Sequence, residues 1–141
     1  RGAEPGNAGP CTFMLSGITG LLEMVYNPPT TGHVLIVLDN GTTAMTGMQE
    51  HPGTGRTLDH RGTGRVQIEA PARAAGIADV RVGDPIQEPG AFQAAVADCL
   101  DRGGLAVVVA RRNCLLAAGK IREYERALTT DDTPERCDAN G

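Results

Sequence analysis

The sequence predicts an α/β fold with a three-layer, mostly parallel sheet, because strand-like apolar runs alternate with helix-like periodicities. The two clearest strands are the continuous apolar runs at 33–38 (HVLIVL) and 105–110 (LAVVVA), whose β-branched residues are typical of buried strands. Apolar residues at helical spacing precede them at 18–25 and 92–100. Strands that alternate with helices imply right-handed parallel crossovers and helices that cover the sheet.

Two weaker elements complete this pattern. Residues 68–75 predict a short helix, with Pro71 in its first turn and Gly76 as its C-terminal stop. Residues 80–82 predict a short strand. The predicted order is therefore helix, strand, long loop, helix, strand, helix, strand, which is the alternation expected of a layered α/β sheet.

The longest segment without predicted secondary structure runs from Asp39 to Arg65 and is rich in Gly, Thr and Pro. An irregular segment of this length inside a compact domain usually has a function. It begins at the carboxyl end of the strongest predicted strand, which is where open parallel sheets bind their ligands. The sequence therefore predicts a binding site in the first part of this loop.

Composition argues against several classes of function. The chain has 13 Lys and Arg against 17 Asp and Glu, a net charge of −4, whereas nucleic-acid phosphates are normally bound by a basic face. No apolar run approaches the ~18 residues of a membrane span. The four cysteines are too scattered for a disulfide framework, so we interpret them as free thiols of a cytoplasmic protein.

A nucleotide-binding Rossmann site is a competing interpretation of the glycine-rich loop. The two candidate motifs are 53–55 and 62–64, both Gly-Thr-Gly. Neither has a third glycine at the required spacing, and neither follows directly from a strong strand. The details of the motif therefore argue against this interpretation.

Four segments resemble one family over most of the chain. The segment at 37–55 (VLDNGTTAMTGMQEHPGTG) closely resembles the cofactor loop of the large subunit of indolepyruvate ferredoxin oxidoreductases. The segment at 9–27 (GPCTFMLSGITGLLEMVYN) is similar to that family's GDSTF-type segment and the following helix, and 81–85 and 107–114 are similar to its later strands. The resemblance implies a thiamine-diphosphate-binding fold and identifies the chain as a fragment or degenerate copy of the C-terminal domain.

The resemblance also implies a cofactor site. Thiamine diphosphate is held through a diphosphate bridged to Mg²⁺, a hard ion that prefers oxygen ligands. The family's metal-binding Asn side chain and backbone carbonyl fall on Asn40 and Thr42. The remaining cofactor contacts implied by the family fall on Gly9, Cys11, Thr12, Thr43, Ala44, Thr46 and Gly47.

The reaction implied by the family is oxidative decarboxylation of an aryl 2-oxoacid, such as indolepyruvate, to an acyl-CoA. The implied partners are the rest of the large subunit and a small subunit, with ferredoxin and CoA as indirect partners and no nucleic acid or membrane. In thiamine enzymes the Glu that activates the aminopyrimidine comes from a separate domain. We therefore expect no turnover from this chain alone.

The sequence departs from the family at several positions. Pro10 stands where the family has the metal-binding Asp, so a carboxylate ligand is missing. Leu15 and Met48 occupy positions at which family members often have His. The family has a hydrophobic strand before Gly9, whereas residues 1–8 (RGAEPGNA) lack its pattern. We therefore expect an irregular segment there and a sheet without its N-terminal strand.

The C-terminal region predicts a charged tail. Residues 136–140 (RCDAN) resemble the start of a ferredoxin-type cluster motif, but Asn140 replaces its second cysteine. We therefore expect no iron–sulfur cluster in this chain. The predicted organisation is an irregular segment at 1–8, a partial thiamine-diphosphate-binding domain at 9–121 and a tail at 122–141. The start at Arg1 rather than Met is consistent with a truncated piece.

The alternative hypothesis is a non-catalytic domain that retains only the fold or a subunit interface. Pro10 favours this alternative, whereas the intact DNGTTAMTG loop favours cofactor binding. Asn40 and Thr42 are also residues that ordinary turns use after a strand. His51 matches a family loop position, but a single loop histidine is more often a surface residue.

Overall fold

The computed structural model describes residues 5–44 and 47–130, with the side chains of 8–44 and 47–127, and its centre is a parallel sheet. The four strands of this part of the chain are β1 (Pro5–Ala8), β2 (His33–Asp39), β3 (Asp79–Gly83) and β4 (Leu105–Arg111). Their order across the sheet is β1-β2-β4-β3, and each neighbouring pair is parallel. The predicted α/β class with a parallel sheet is confirmed.

Helices connect these strands. The helices are α1 (Pro10–Thr12), α2 (Ile18–Tyr26), α3 (Glu69–Ala74), α4 (Pro89–Arg102) and α5 (Ala118–Thr130), with a π-helical segment at Phe13–Gly17 between α1 and α2. The predicted helices at 18–25, 68–75 and 92–100 correspond to α2, α3 and α4. In this part of the chain no helix has the length and apolar character needed to span a membrane.

The core lies on both faces of the sheet, which gives the predicted three layers. On one face, Val37, Val107 and Val109 pack with apolar residues of the π-helical segment, α2 and α3, which include Phe13, Leu21 and Ala72. On the opposite face, Val34, Ala106 and Val108 pack with Cys99 of α4. Strands that are buried on both faces need continuous apolar sequences, which explains the runs at β2 and β4.

The predicted absence of an N-terminal strand is wrong. Residues 5–8, which we expected to be irregular, form β1 and pair in parallel with residues 34–37 of β2. The pairing uses backbone groups, so it does not require the apolar side chains that the sequence lacks. Pro5 is tolerated because it is the first residue of an edge strand, where a missing N–H group costs little.

The predicted charged tail starts within a helix. Residues 122–130 are the second part of α5. Ile121 is buried and Tyr124 is half-buried, three positions apart on one face of this helix, while charged residues such as Arg122 are exposed. The charges that suggested a tail therefore lie on the solvated face of an amphipathic helix.

Leu21 and Leu22 form a matched test of this packing. Leu21 is 1% exposed and Leu22 is 50% exposed, although both are in α2 and both fit the helical periodicity. We expect Leu21→Ala to lower the free energy of unfolding by about 2–5 kcal/mol because it leaves a cavity in the core. Leu22→Ala should change it by less than about 0.5 kcal/mol. Urea denaturation measures both, and equal losses would contradict the assigned face.

Candidate cofactor site

The loop that follows β2 begins with two side-chain turns. The Gly41 N–H donates to Asp39 Oδ1 (3.2 Å), and the Thr42 N–H donates to Asn40 Oδ1 (3.2 Å). Gly41 has a φ of +74°, a conformation that favours glycine. The segment DNGTT therefore folds back at the carboxyl end of β2 through its own Asp and Asn side chains.

A buried ion pair ties this turn to the next strand. Asp39 is 4% exposed, and the β2–β4 register places it beside Arg111, whose Nε donates to Asp39 Oδ2 (2.8 Å). Arg111 also donates through Nη2 to Glu69 Oε2 of α3 (2.7 Å). Burial would raise the pKa of Glu69, but Arg111, a backbone hydrogen bond and the charge of Arg73 together outweigh that effect and lower the pKa. The arginine thus bridges two carboxylates.

The segment after β4 also holds the backbone of the loop. The Arg112 N–H donates to the Asp39 carbonyl (2.8 Å), and the Cys114 N–H donates to the Asn40 carbonyl (2.9 Å). The Arg112 side chain pairs with Asp84 at the end of β3 (2.9 Å). The carboxyl ends of three neighbouring strands are therefore cross-linked at the loop.

The other predicted contacts lie at the end of β1, the strand next to β2. Gly9 precedes α1 and its carbonyl accepts from the Phe13 N–H (2.9 Å). Pro10 is buried as the first residue of α1, and α1 contacts β2. Cys11 is half-buried and Thr12 is exposed. Topology therefore brings Gly9, Cys11 and Thr12 to the same edge of the sheet as Asn40 and Thr42.

The rest of the predicted loop forms a tight turn. The Thr43 N–H donates to the Gln49 carbonyl (3.0 Å) and the Met48 N–H donates to the Thr43 carbonyl (3.0 Å). Ala44 and Gly47 lie within this turn, where the Gly47 N–H points to the Ala44 carbonyl (3.5 Å). Thr46 and the broken cysteine motif at 136–140 lie outside the described residues.

Sequence reasoning missed a polar cluster between the loop and α5, in which a buried Glu50–Arg56 pair contacts the exposed His60, and His60 contacts Tyr124. Glu50 Oε1 accepts from Arg56 Nε (2.9 Å) and lies 2.9 Å from His60 Nδ1, and the Glu50 and Arg56 side chains are each 3% exposed. The His60 ring stacks on the Tyr124 ring of α5, with centroids 4.6 Å apart. Burial would raise the pKa of Glu50, but hydrogen bonds with Arg56, Thr54 and His60 and the charge of Arg56 together outweigh it and lower the pKa.

His51 is buried, so its interpretation as a surface residue is wrong. It is 4% exposed, and its Nδ1 accepts from the Gly53 N–H (3.1 Å), which places the proton of the neutral ring on Nε2. Among the described residues, Nε2 has no hydrogen-bond partner. Burial lowers the pKa of His51 below its ordinary value, despite the nearby Asp39 and Glu50 carboxylates.

The residues present do not fit a divalent metal ion. Pro10 puts a buried apolar ring where a carboxylate is needed, and the Asp39 carboxylate is already bonded to Arg111 and Gly41. Within residues 5–44 and 47–130 there is no group of three His, Cys, Asp or Glu side chains that could hold a metal. The implied ligands that remain, Asn40 and Thr42, offer only neutral oxygens, whereas Mg²⁺ sites normally use at least one carboxylate.

The fold and the loop define a cofactor-binding domain of the thiamine pyrophosphate enzymes. Residues 8–110 match the family described as the C-terminal TPP binding domain of thiamine pyrophosphate enzymes. This match includes all of β2, the whole loop between β2 and α3, and β4 up to residue 110. The chain belongs to this family.

Among proteins of known name, the chain is similar to the indolepyruvate oxidoreductase subunit IorA. It is 37% identical over 133 residues to the Archaeoglobus fulgidus protein, covering 92% of this chain and 20% of the relative. It is 40% identical over 115 residues to the Pyrococcus abyssi protein, covering 81% and 17%. The chain thus spans about a fifth of the length of these relatives. No solved structure matches it.

The buried His51 predicts a loss of stability in mild acid. Because the folded state lowers the pKa of His51, the unfolded chain gains its proton first as the pH falls through about 6.5. The free energy of unfolding should therefore fall between pH 7.5 and 5, by at most about 1.4 kcal/mol per pH unit from this residue. Glu50 and Glu69 do not act in this window, since their pKa values are also lowered.

His51→Asn is the matched variant, because the Asn side-chain oxygen can accept from the same Gly53 N–H without titrating. Urea denaturation of both proteins at several pH values measures the effect. The variant should lose less stability between pH 7.5 and 5 than the unmodified chain. Identical pH slopes would mean that His51 does not titrate in the way its burial requires.

Proposed function

We propose that this chain is the C-terminal thiamine-diphosphate-binding domain of an indolepyruvate oxidoreductase. The observation that supports this most strongly is the DNGTT turn at the carboxyl end of β2, where Asn40 Oδ1 fixes the Thr42 backbone. The turn lies one strand away from Gly9, at the edge where parallel sheets bind ligands. Membership of the cofactor-binding family gives independent support.

In this proposal the residues at the carboxyl edge of the sheet bind different parts of thiamine diphosphate. Gly9, Cys11 and Thr12 bind the diphosphate from the segment that follows β1. Asn40 and Thr42 bind it from the loop that follows β2. The turn residues Thr43, Ala44, Thr46 and Gly47 line the rest of the cofactor. When bound, thiamine diphosphate supplies the electron sink for decarboxylation of a 2-oxoacid, and the protein binds, orients and shields it.

The whole enzyme, in our proposal, oxidatively decarboxylates aryl 2-oxoacids such as indolepyruvate to acyl-CoA and passes electrons to ferredoxin. The names of the relatives support the substrate class. Because the chain spans about a fifth of their length, the remaining parts of the active site come from the rest of the large subunit and from a small subunit. A cytoplasmic location and the lack of an iron–sulfur cluster in this chain remain predictions.

A second candidate is a domain that has lost cofactor binding and keeps the fold or a subunit interface. The observation that favours it is the buried Pro10, which removes the carboxylate ligand of the implied Mg²⁺. Loss of a partner that only orients a metal ligand typically lowers metal affinity about 10–100-fold, and loss of a direct carboxylate ligand should cost at least as much. The two candidates differ in whether the unmodified chain still binds thiamine diphosphate.

Thermal unfolding with increasing thiamine diphosphate, with and without Mg²⁺, separates the candidates. We expect a saturable rise in melting temperature for the unmodified chain that depends little on Mg²⁺. The Pro10→Asp variant should bind at least tenfold more tightly when Mg²⁺ is present, because the carboxylate is restored. A ligand at about 1,000 times its Kd adds about 4 kcal/mol of stability, which is easily measured.

Pro10→Asn is the matched control, because it removes the proline without adding a charge. A response to Mg²⁺ in the Asp variant but not in the Asn variant assigns the effect to the carboxylate. A response only in Pro10→Asp would support the second candidate, a domain that lost its cofactor. No response in any of the three folded proteins would contradict the proposed function.

A further inference from the structure

The helical segment from Phe13 to Tyr26, in which the π-helical turn leads into α2, has two apolar stripes. The residues of the inner stripe are spaced four, three and four positions apart and pack into the core: Met14, Ile18, Leu21 and Val25. A second set has the same spacing, begins one position later and is exposed, and we call it the outer stripe: Leu15, Thr19, Leu22 and Tyr26. Its three large side chains are 67%, 50% and 81% exposed, so only one of the two apolar sides is covered.

The outer stripe is almost free of charge. Surface helices normally carry charged residues on the face that is turned away from the core. Between Pro10 and Asn27, however, Glu23 is the only charged residue. The Thr19 hydroxyl donates to the Ser16 carbonyl (2.7 Å), so it needs no acceptor from outside the helix. The outer stripe can therefore be covered without burying a charge or an unpaired donor, as expected of a contact surface.

The spacing of the outer stripe makes it complementary to itself. Intervals of four, three and four read the same in both directions, with their centre between residues 20 and 21. If two copies of this helix pack antiparallel about a two-fold axis at that centre, Leu15 lies opposite Tyr26 of the second copy. Thr19 then lies opposite Leu22, so each central leucine meets a small side chain and the helices can approach closely. A two-fold contact requires such a self-complementary surface.

Charge favours a second copy as the molecule that covers this surface. The chain has a net charge of −4, so two copies repel each other on average. The exposed faces of α4 and α5 carry charged residues such as Asp101 and Arg122, whereas Glu23 alone adjoins the outer stripe. Two acidic chains can therefore meet at the outer stripe with little repulsion. The stripe is only about 17 Å long at 1.5 Å per residue, so the contact is a weak one.

We propose that the outer stripe is the contact surface of a two-fold symmetric homodimer of this chain, in which α2 packs antiparallel against α2 of a second copy. Gly9, Cys11 and Thr12 precede Leu15, so the segments that follow β1 lie at opposite ends of this contact. The surface differs from the proposed cofactor site, and the contact forms without thiamine diphosphate. Failure to dimerise and failure to bind the cofactor are therefore separate results.

Sedimentation equilibrium of the unmodified chain, without thiamine diphosphate or Mg²⁺, tests whether the dimer exists. We expect a reversible change from monomer to dimer between about 1 and 500 µM, because a contact of this length is at the small end of specific interfaces. Leu22 is the best position for a substitution, since it is half exposed and lies near the two-fold axis. The two Leu22 residues are about 4.5 Å apart along the helix axes, so charges introduced at this position face each other.

Leu22→Glu and Leu22→Lys should each weaken the dimer at least about tenfold, because like charges then meet across the axis. An equimolar mixture of the two variants should form a heterodimer at least about tenfold more tightly than either variant forms a homodimer, since opposite charges now meet. Leu116→Glu is the matched control, because Leu116 is 95% exposed and lies outside the outer stripe. It should change the Kd of the dimer by less than about twofold, since a distant exposed charge is screened.

A chain that stays monomeric at all concentrations would overturn the homodimer and leave the outer stripe to another part of the large subunit. Equal weakening by Leu22→Glu and Leu116→Glu would overturn it as well, because the contact would then lie elsewhere. No heterodimer in the mixture of two folded variants, checked by circular dichroism, would contradict the two-fold arrangement. If the Leu22 variants do not fold, Tyr26→Glu and Leu15→Lys replace them in the mixture, because these positions lie opposite each other and are largely exposed.

Discussion

The Asp39 carboxylate joins the sheet to the loop, and the arrangement of the proposed site depends on it. One of its oxygens accepts the Gly41 N–H at the start of the turn, and the other accepts Arg111 Nε from the neighbouring strand. A buried carboxylate is costly unless it is both paired and hydrogen-bonded, and Asp39 is both. The same contacts that remove this cost also fix the position of Asn40 and Thr42.

The Asp39–Arg111 ion pair is part of a network of ion pairs along the carboxyl edge of the sheet. Arg111 also forms an ion pair with Glu69 of α3, and Arg112 forms one with Asp84, which follows β3. In parallel strands these ends meet at one edge, so charges that are distant in sequence can neutralise each other there. The edge therefore provides a rigid base for a loop that has little regular structure of its own.

The sequence was sufficient to predict the parts of the fold that depend on local pattern. Continuous apolar runs predicted β2 and β4, because strands buried on both faces leave no room for alternation. The long loop follows the carboxyl end of β2 as predicted, which is the edge where parallel sheets bind ligands. β1 was missed, since its pairing with β2 depends on backbone groups and on the position of an edge strand, neither of which its side chains reveal.

Two side-chain clusters were also missed, for a related reason. Arg111 and Asp39 are 72 positions apart, and only the register of β2 and β4 brings them together. His60 and Tyr124 stack only because α5 continues beyond the point where charge suggested a tail. Cys99, by contrast, falls within the segment of helical periodicity at 92–100 and is buried in the core.

The most direct test of the account is amide hydrogen exchange at Gly41 and Thr42 in an Arg111→Met variant. The account predicts that this variant loses about 3 kcal/mol of stability, because Asp39 keeps a buried charge without its partner, and that both amides exchange faster. Adding Asp39→Asn should recover part of the lost stability, since the two residues interact. Unchanged exchange at both amides, with additive effects of the two substitutions on stability, would contradict it.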